Sequence, residues 1–151
     1  MSDKMTVLLV EPERHPKVIE MDKGLTALQK AVGGYIECVY PFSDSVGLVL
    51  NEEGKLNGLP LNRALRDEGG HVYDIIAGSF LVVGVNEDSF CSLTPARQEK
   101  YEKQFHSPEV FTKLGREIIA IPVSDRDVAR AEKAAQRQQA AKLAPPKRDE
   151  R

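Results

Sequence analysis

Residues 33–84 read GGYIECVYPFSDSVGLVLNEEGKLNGLPLNRALRDEGGHVYDIIAGSFLVVG, and this stretch holds most of the chain's strand-like apolar runs and turn glycines. Tyr35, Glu37 and Val39 alternate with Ile36, Cys38 and Tyr40 between Gly34 and Pro41, which predicts a strand with one face more buried than the other. Val46 to Leu50 predicts the next strand. The link Pro41-Phe42-Ser43-Asp44-Ser45 is too short for a parallel crossover, so the two strands are expected to run antiparallel. Asn51-Glu52-Glu53-Gly54 predicts a tight turn, with a short extension over Lys55 to Asn57 pairing back before Gly58. Pro60, followed by Leu61 and Leu65 at i, i+4, predicts a helix of one or two turns that leaves Asn62 and Arg63 at or near the surface. Val72 to Val85 is apolar almost throughout and long for one straight strand, so Gly78 is expected to mark a bulge or the close approach of another backbone.

Outward from that stretch, Met5 to Val10 predicts a buried strand ended by Glu11-Pro12, and Val18 to Met21 runs back after a loop with prolines at 12 and 16. Leu25, Leu28 and Val32 share one helical face, and Gly33-Gly34 ends that helix. On the C-terminal side, Thr94-Pro95 opens a helix with Tyr101 and Phe105 on a narrow apolar face. Ser107-Pro108 repeats the signal and predicts a second short helix holding Val110, Phe111 and Leu114, before Gly115 releases the chain into a strand from Glu117 to Val123. From Ser124 the composition turns to Ala, Gln, Arg and Lys, which predicts an exposed helix and then a disordered end at Pro145-Pro146. The expected fold class is α+β: a compact domain over residues 1–123 with a mixed, mainly antiparallel sheet and covering helices, plus an exposed C-terminal helical tail over 124–151.

With 151 residues, 41% apolar and 29% charged, the composition is that of one globular domain. The first apolar run, Val7 to Val10, is far too short for a signal-peptide core or a spanning helix, so no membrane segment and a cytoplasmic location are expected. Cys38 and Cys91 lack metal-ligand or redox spacing and read as two buried free thiols. The net charge of −2 hides a split: residues 1–123 carry 18 acidic and 13 basic side chains, residues 124–151 carry 5 and 8. An acidic body argues against direct nucleic-acid binding, which needs clustered Lys and Arg, and could instead meet a basic protein surface.

No GxSxG, GxGxxG or Walker loop is present, and nothing in the sequence asks for a cofactor or a metal. His15, His71 and His106 read as surface loop residues; a cluster of His71 with Glu68 and Asp74 matches no ligand spacing. The richest polar region is Asn51, Glu52, Glu53, Asn57, Asn62 and Arg63, around a turn and a short helix, where binding loops tend to sit. Glu52, Glu53, Asn57, Asn62 and Arg63 are the candidate binding residues, and Glu52 and Arg63 could pair.

The runs GGYIECVYPF (33–42), NEEGKLNGLPLNRAL (51–65) and YDIIAGSFLVVG (73–84) resemble an uncharacterised family of small proteins carried by phages, plasmids and other mobile elements of Gram-positive, often gut-associated, bacteria. The likeness spans about residues 5–123, and the tail from Ser124 departs from the usual short member. The resemblance implies a genomic context rather than a chemistry. It leads to the expectation of a non-enzymatic accessory protein that binds a host or element-encoded protein, as an anti-restriction or anti-CRISPR inhibitor would, through an acidic and polar loop surface at Glu52, Glu53, Asn62 and Arg63. The alternative is a small-molecule binder or nucleotide-signal sponge, with Arg63 as the anion contact and Asn57 and Asn62 as its hydrogen-bond partners.

Overall fold

The computed structural model describes residues 4–143. Its centre is a six-stranded antiparallel sheet built from β1 (Lys4–Val10), β2 (Lys17–Asp22), β3 (Ile36–Val39), β4 (Val46–Asn51) and two strands later in the chain. These are β7 (Phe80–Val85) and the short β8 (Phe90–Cys91); the order is β2-β1-β7-β4-β3, with β8 paired to β7. The runs in β1, β4 and β7 are nearly continuous in apolar residues because both faces of the sheet are covered. Met5, Val7, Val49, Leu81 and Val83 point to one side, where α1 (Leu25–Val32) lays Leu28 and Val32 against them. Leu8, Val10, Val46, Leu48, Phe80 and Val82 point to the other.

That second face is closed by β5 (Leu61–Arg66) and β6 (Val72–Ala77), which form their own antiparallel pair, and by α2 (Pro95–Gln104). Leu65 and Ile76 from the pair meet Tyr101 and Phe105 there. Beyond them, β9 (Glu109–Leu114) and β10 (Glu117–Pro122) form a second two-stranded hairpin, with β9 against β5. The last element is α3 (Asp125–Leu143). The fold is thus a single α+β domain with mainly antiparallel sheets and a C-terminal helix, as the sequence predicts. The disordered end expected at Pro145-Pro146 lies outside the described residues.

Several local expectations hold. α1 ends on Gly33 at φ 80°, whose N–H reaches the Gln29 carbonyl, and Thr94 caps α2 by accepting from Arg97 N–H. Gly78 does mark a close approach: at φ 83° it donates to the Pro60 carbonyl at 2.7 Å. It does more than bulge a strand, because Val72 to Val85 is two strands in two different sheets, and Gly78 is the pivot between them.

Other expectations are corrected. The segment after Pro60 is strand β5, not a helix, and Asn62 and Arg63 are buried rather than exposed. A helix of one or two turns is marginal alone, and the β-branched partner β6 offers this segment a full ladder instead. Val110, Phe111 and Leu114 lie on strand β9, not on a second short helix. Glu109 explains the change of partner: its carboxylate accepts from Ala64 N–H at 2.8 Å and from Arg66 at 2.6 Å, so it seals an open edge of β5. Leu25 of α1 is exposed, as are Tyr35, Tyr40 and Tyr73, whereas Phe42 packs against the core. Cys38 and Cys91 are free but only half-buried. Over residues 125–138 the tail helix is mostly exposed, yet Val128 in its second turn is 1% exposed and anchors it.

One clasp holds α2 to the β3–β4 link. Asp44 accepts from Lys100 at 2.6 Å and from the Tyr101 hydroxyl at 2.7 Å. These two donors hold the Asp44 carboxyl below its usual range, while burial and the Asp44 charge push Tyr101 well above an ordinary tyrosine. A carboxylate with a depressed folded pKa contributes stability that is complete above its unfolded pKa and disappears as pH falls through the folded one. Melting temperature is therefore expected to drop below about pH 4; Asp44→Asn should flatten that part of the profile, and an unchanged acid limb would assign it to other carboxylates.

Candidate functional site

The candidate binding residues of the polar loop divide into two sets. Glu52, Glu53 and Asn57 are exposed in the turns after β4. Asn51 is buried beside them and works for the fold, since its amide donates to the Val32 carbonyl at 3.1 Å and its oxygen accepts from Glu53 N–H at 2.8 Å. Asn62 and Arg63 belong to a separate interior network. Asn62 Nδ2 donates to the carbonyls of Val10 and Gly78, both at 2.9 Å. Its Oδ1 accepts from Arg63 Nη1 at 2.7 Å.

Arg63 is 1% exposed, and it finishes the network by donating from Nε to the Phe105 carbonyl at 2.9 Å and from Nη2 to the Arg14 carbonyl at 2.7 Å. Burial lowers its basicity to about 10, with Glu109 acting against that shift, so it remains a cation at neutral pH. Its three nitrogens are all engaged by the protein, and no Glu52–Arg63 pair forms among the described ion pairs.

The two carbonyls that Arg63 holds precede His15 and His106, and this brings the two histidines together. His15 sits in the β1–β2 loop, whose residue Glu13 takes the left-handed conformation at φ 67°. His106 follows the last residue capping α2. Their rings stack at 4.2 Å between centroids with 17° between planes, and His15 Nδ1 donates to the His106 carbonyl at 2.8 Å. Glu102, one helical turn back, meets His106 Nδ1 at 2.9 Å. Asp125, the first residue of α3, places Oδ1 3.0 Å from His106 Nε2 and 3.7 Å from His15 Nε2. The Glu102 hydrogen bond raises the His106 pKa above its ordinary range, with Asp125 adding to it and burial opposing.

Sequence reading treats these histidines as unrelated loop residues, since they are 91 positions apart. No local spacing signals the pair. The His71, Glu68 and Asp74 group does not assemble: His71 lies by Asp67 at 3.5 Å, and Asp74 pairs with Lys55.

A second surface feature is a groove of about 820 Å³ between the β5–β6 and β9–β10 hairpins. Leu61, Tyr73 and Ile75 line one wall and Ile118, Ile119 and Ala120 the other, with Lys55, Asp74 and Arg116 at its margin. Tyr73 is 57% exposed, and Ile118 and Leu61 are also open to solvent. On the opposite face of the outer hairpin, the cross-strand pair Val110 and Ile121 lies with Leu114, which is 67% exposed. A smaller hollow on the far side of Lys55 and Asp74 is lined by Glu37, Glu52 and Leu56, so the polar loop borders the groove.

Fold and surface define a class: a small antiparallel α+β domain that presents an apolar groove with a charged margin and a separate histidine–carboxylate cluster. The chain belongs to the DUF3846 family, described as a domain of unknown function, which it matches over residues 5–106. No curated protein and no solved structure matches it. The family match ends at His106, so β9, β10 and α3 with Asp125 lie beyond it. The match identifies no catalytic family. Among the described residues no helix is long and apolar enough to cross a membrane.

Proposed function

We propose that this domain is a non-enzymatic binding protein that engages a protein partner through the groove between its two outer hairpins. The observation that carries this reading is the set of large apolar side chains left in the open along the groove at Leu61, Tyr73 and Ile118. Apolar surface in contiguous patches is uncommon on a monomer and marks interaction sites, and aromatic anchors at the centre of such patches carry much of the binding energy. The loop bearing Glu52 and Glu53 supplies an acidic margin that favours a basic partner and speeds encounter. With the mobile-element resemblance, the use we propose is as a cytoplasmic accessory protein that occupies the nucleic-acid groove of a host defence protein, of restriction or CRISPR type.

The test is retention of proteins from a defence-competent lysate, followed by titration of the purified partner. The Tyr73→Ala, Ile118→Glu double variant should lose affinity at least tenfold while keeping its melting temperature, since both positions are exposed. Glu52→Lys with Glu53→Lys should slow association and weaken its salt dependence. A partner held equally by the double variant and the wild type would sink the groove reading.

A further inference from the structure

We propose that His15, His106 and Asp125 form a binding site for one divalent transition-metal ion of the zinc class, which staples α3 to the body of the domain. A ring nitrogen of His15, a ring nitrogen of His106 and a carboxylate oxygen of Asp125 all lie within 4.8 Å of one another, and the two Nε2 atoms are 3.7 and 3.0 Å from Asp125 Oδ1. Donors around a tetrahedral ion with bonds of about 2.1 Å are about 3.4 Å apart; since an imidazole binds an ion in its own plane, the stacked rings of His15 and His106 would turn out of their stack as the site closes. Two imidazoles and a carboxylate are the donor set that borderline ions such as zinc accept, with a position left for water.

The hydrogen bonds of the two Nδ1 atoms are a second argument. The partner of His15 Nδ1 is a backbone carbonyl, which can only accept, so that nitrogen carries the proton. His106 Nδ1 faces the Glu102 carboxylate, again an acceptor. In neutral imidazoles this assigns the lone pair to both Nε2 atoms, and both are turned toward the Asp125 carboxylate. Three electron-pair donors then converge, and a bound cation would take the place of the proton that His106 Nε2 otherwise shares with Asp125. Metal-bound histidines are oriented in this way, by a carboxylate or a carbonyl on the nitrogen away from the ion. Both backbone segments are in turn fixed by Arg63, through the carbonyls of Arg14 and Phe105.

The ligands come from three separate elements: the β1–β2 loop, the end of α2 and the start of α3. A bound ion would therefore join parts that otherwise meet through Val128 and the histidine contacts. Because it would bind the native state, it should also stabilise the domain.

The test uses the full chain, stripped with a chelator and titrated with zinc, and with cobalt as a spectroscopic probe. One equivalent should bind, and cobalt should show the intense visible absorption of a tetrahedral site. His15→Ala, His106→Ala and Asp125→Asn should each weaken binding at least tenfold, and Glu102→Gln, which removes no ligand atom, should weaken it about 10- to 100-fold. His71→Ala should leave it unchanged. Asp125 is 73% exposed, so Asp125→Asn keeps the fold and separates ligand loss from misfolding. Zinc should also slow hydrogen exchange in the first turn of α3 in the wild type and not in Asp125→Asn. Absence of stoichiometric binding, or binding that survives both His15→Ala and Asp125→Asn, would overturn the site.

Discussion

Arg63→Leu is expected to destabilise the domain by about 3–5 kcal/mol, the range seen when one partner of a buried charged network is removed. Leucine would fill much of the space but would strand the carbonyls of Arg14 and Phe105 and the Asn62 side-chain oxygen. Each buried acceptor left without a donor costs about 1–3 kcal/mol. The relief of not burying a cation offsets part of that sum. Two of the acceptors are backbone, so no second substitution can remove them. In a chain of this size the loss corresponds to a fall in melting temperature on the order of 10 °C.

Arg63→Lys keeps the charge but lacks the planar fork that reaches three acceptors at once, so it should recover only a part of the stability. Asn62→Ala should be strongly non-additive with Arg63→Leu, because the two side chains share one network. Urea unfolding of the single and double variants measures both effects. A cost below about 1 kcal/mol for Arg63→Leu would mean that the surroundings rearrange to satisfy the stranded groups. Since Arg63 holds the segments that carry His15 and His106, the same variant should shift the imidazole resonances of both residues.

Phe80→Ala is the second large expected loss, at about 3–5 kcal/mol, the usual range for removing a buried phenylalanine. Phe80 is fully buried and meets Phe105 edge to face, with centroids 5.3 Å apart and 79° between rings. It sits where the six-stranded sheet, α2 and the β5–β6 pair come together. Truncation would leave a cavity beneath the residue whose carbonyl Arg63 holds. Leu81→Ala makes the informative comparison, because its side chain lies on the other face, against α1. It should also cost stability but leave the His15 and His106 resonances in place. If both variants disturb the histidines equally, the two faces of the sheet are not the separate packing units described above.

The elements legible in the sequence are those whose signals are local. Glycine after a helical face, Thr-Pro before one, and unbroken Val and Leu runs identify α1, α2, β1, β4 and β7 wherever they later pack. β5 and β9 were not legible, because each is short, polar in part, and strand-forming only beside its partner. The turn after β4 is legible, with Glu52 and Glu53 exposed, whereas Asn62 and Arg63, expected at or near the surface, are buried. A polar residue in an apolar segment reads as exposed unless its partners are known, and these partners are the carbonyls of Val10, Arg14, Gly78 and Phe105.

By itself, then, the sequence determined the class of fold, most strand and helix positions, the acidic character of the body and the change of composition at Ser124. Those follow from propensity, periodicity and charge, which are properties of neighbouring residues. Only the tertiary structure decided that a buried arginine anchors two distant loops, that two histidines stack against an aspartate, and that two hairpins leave a groove between them. Each of these depends on contacts between residues far apart in the chain, and burial and hydrogen-bond satisfaction select such contacts only once the chain has closed on itself.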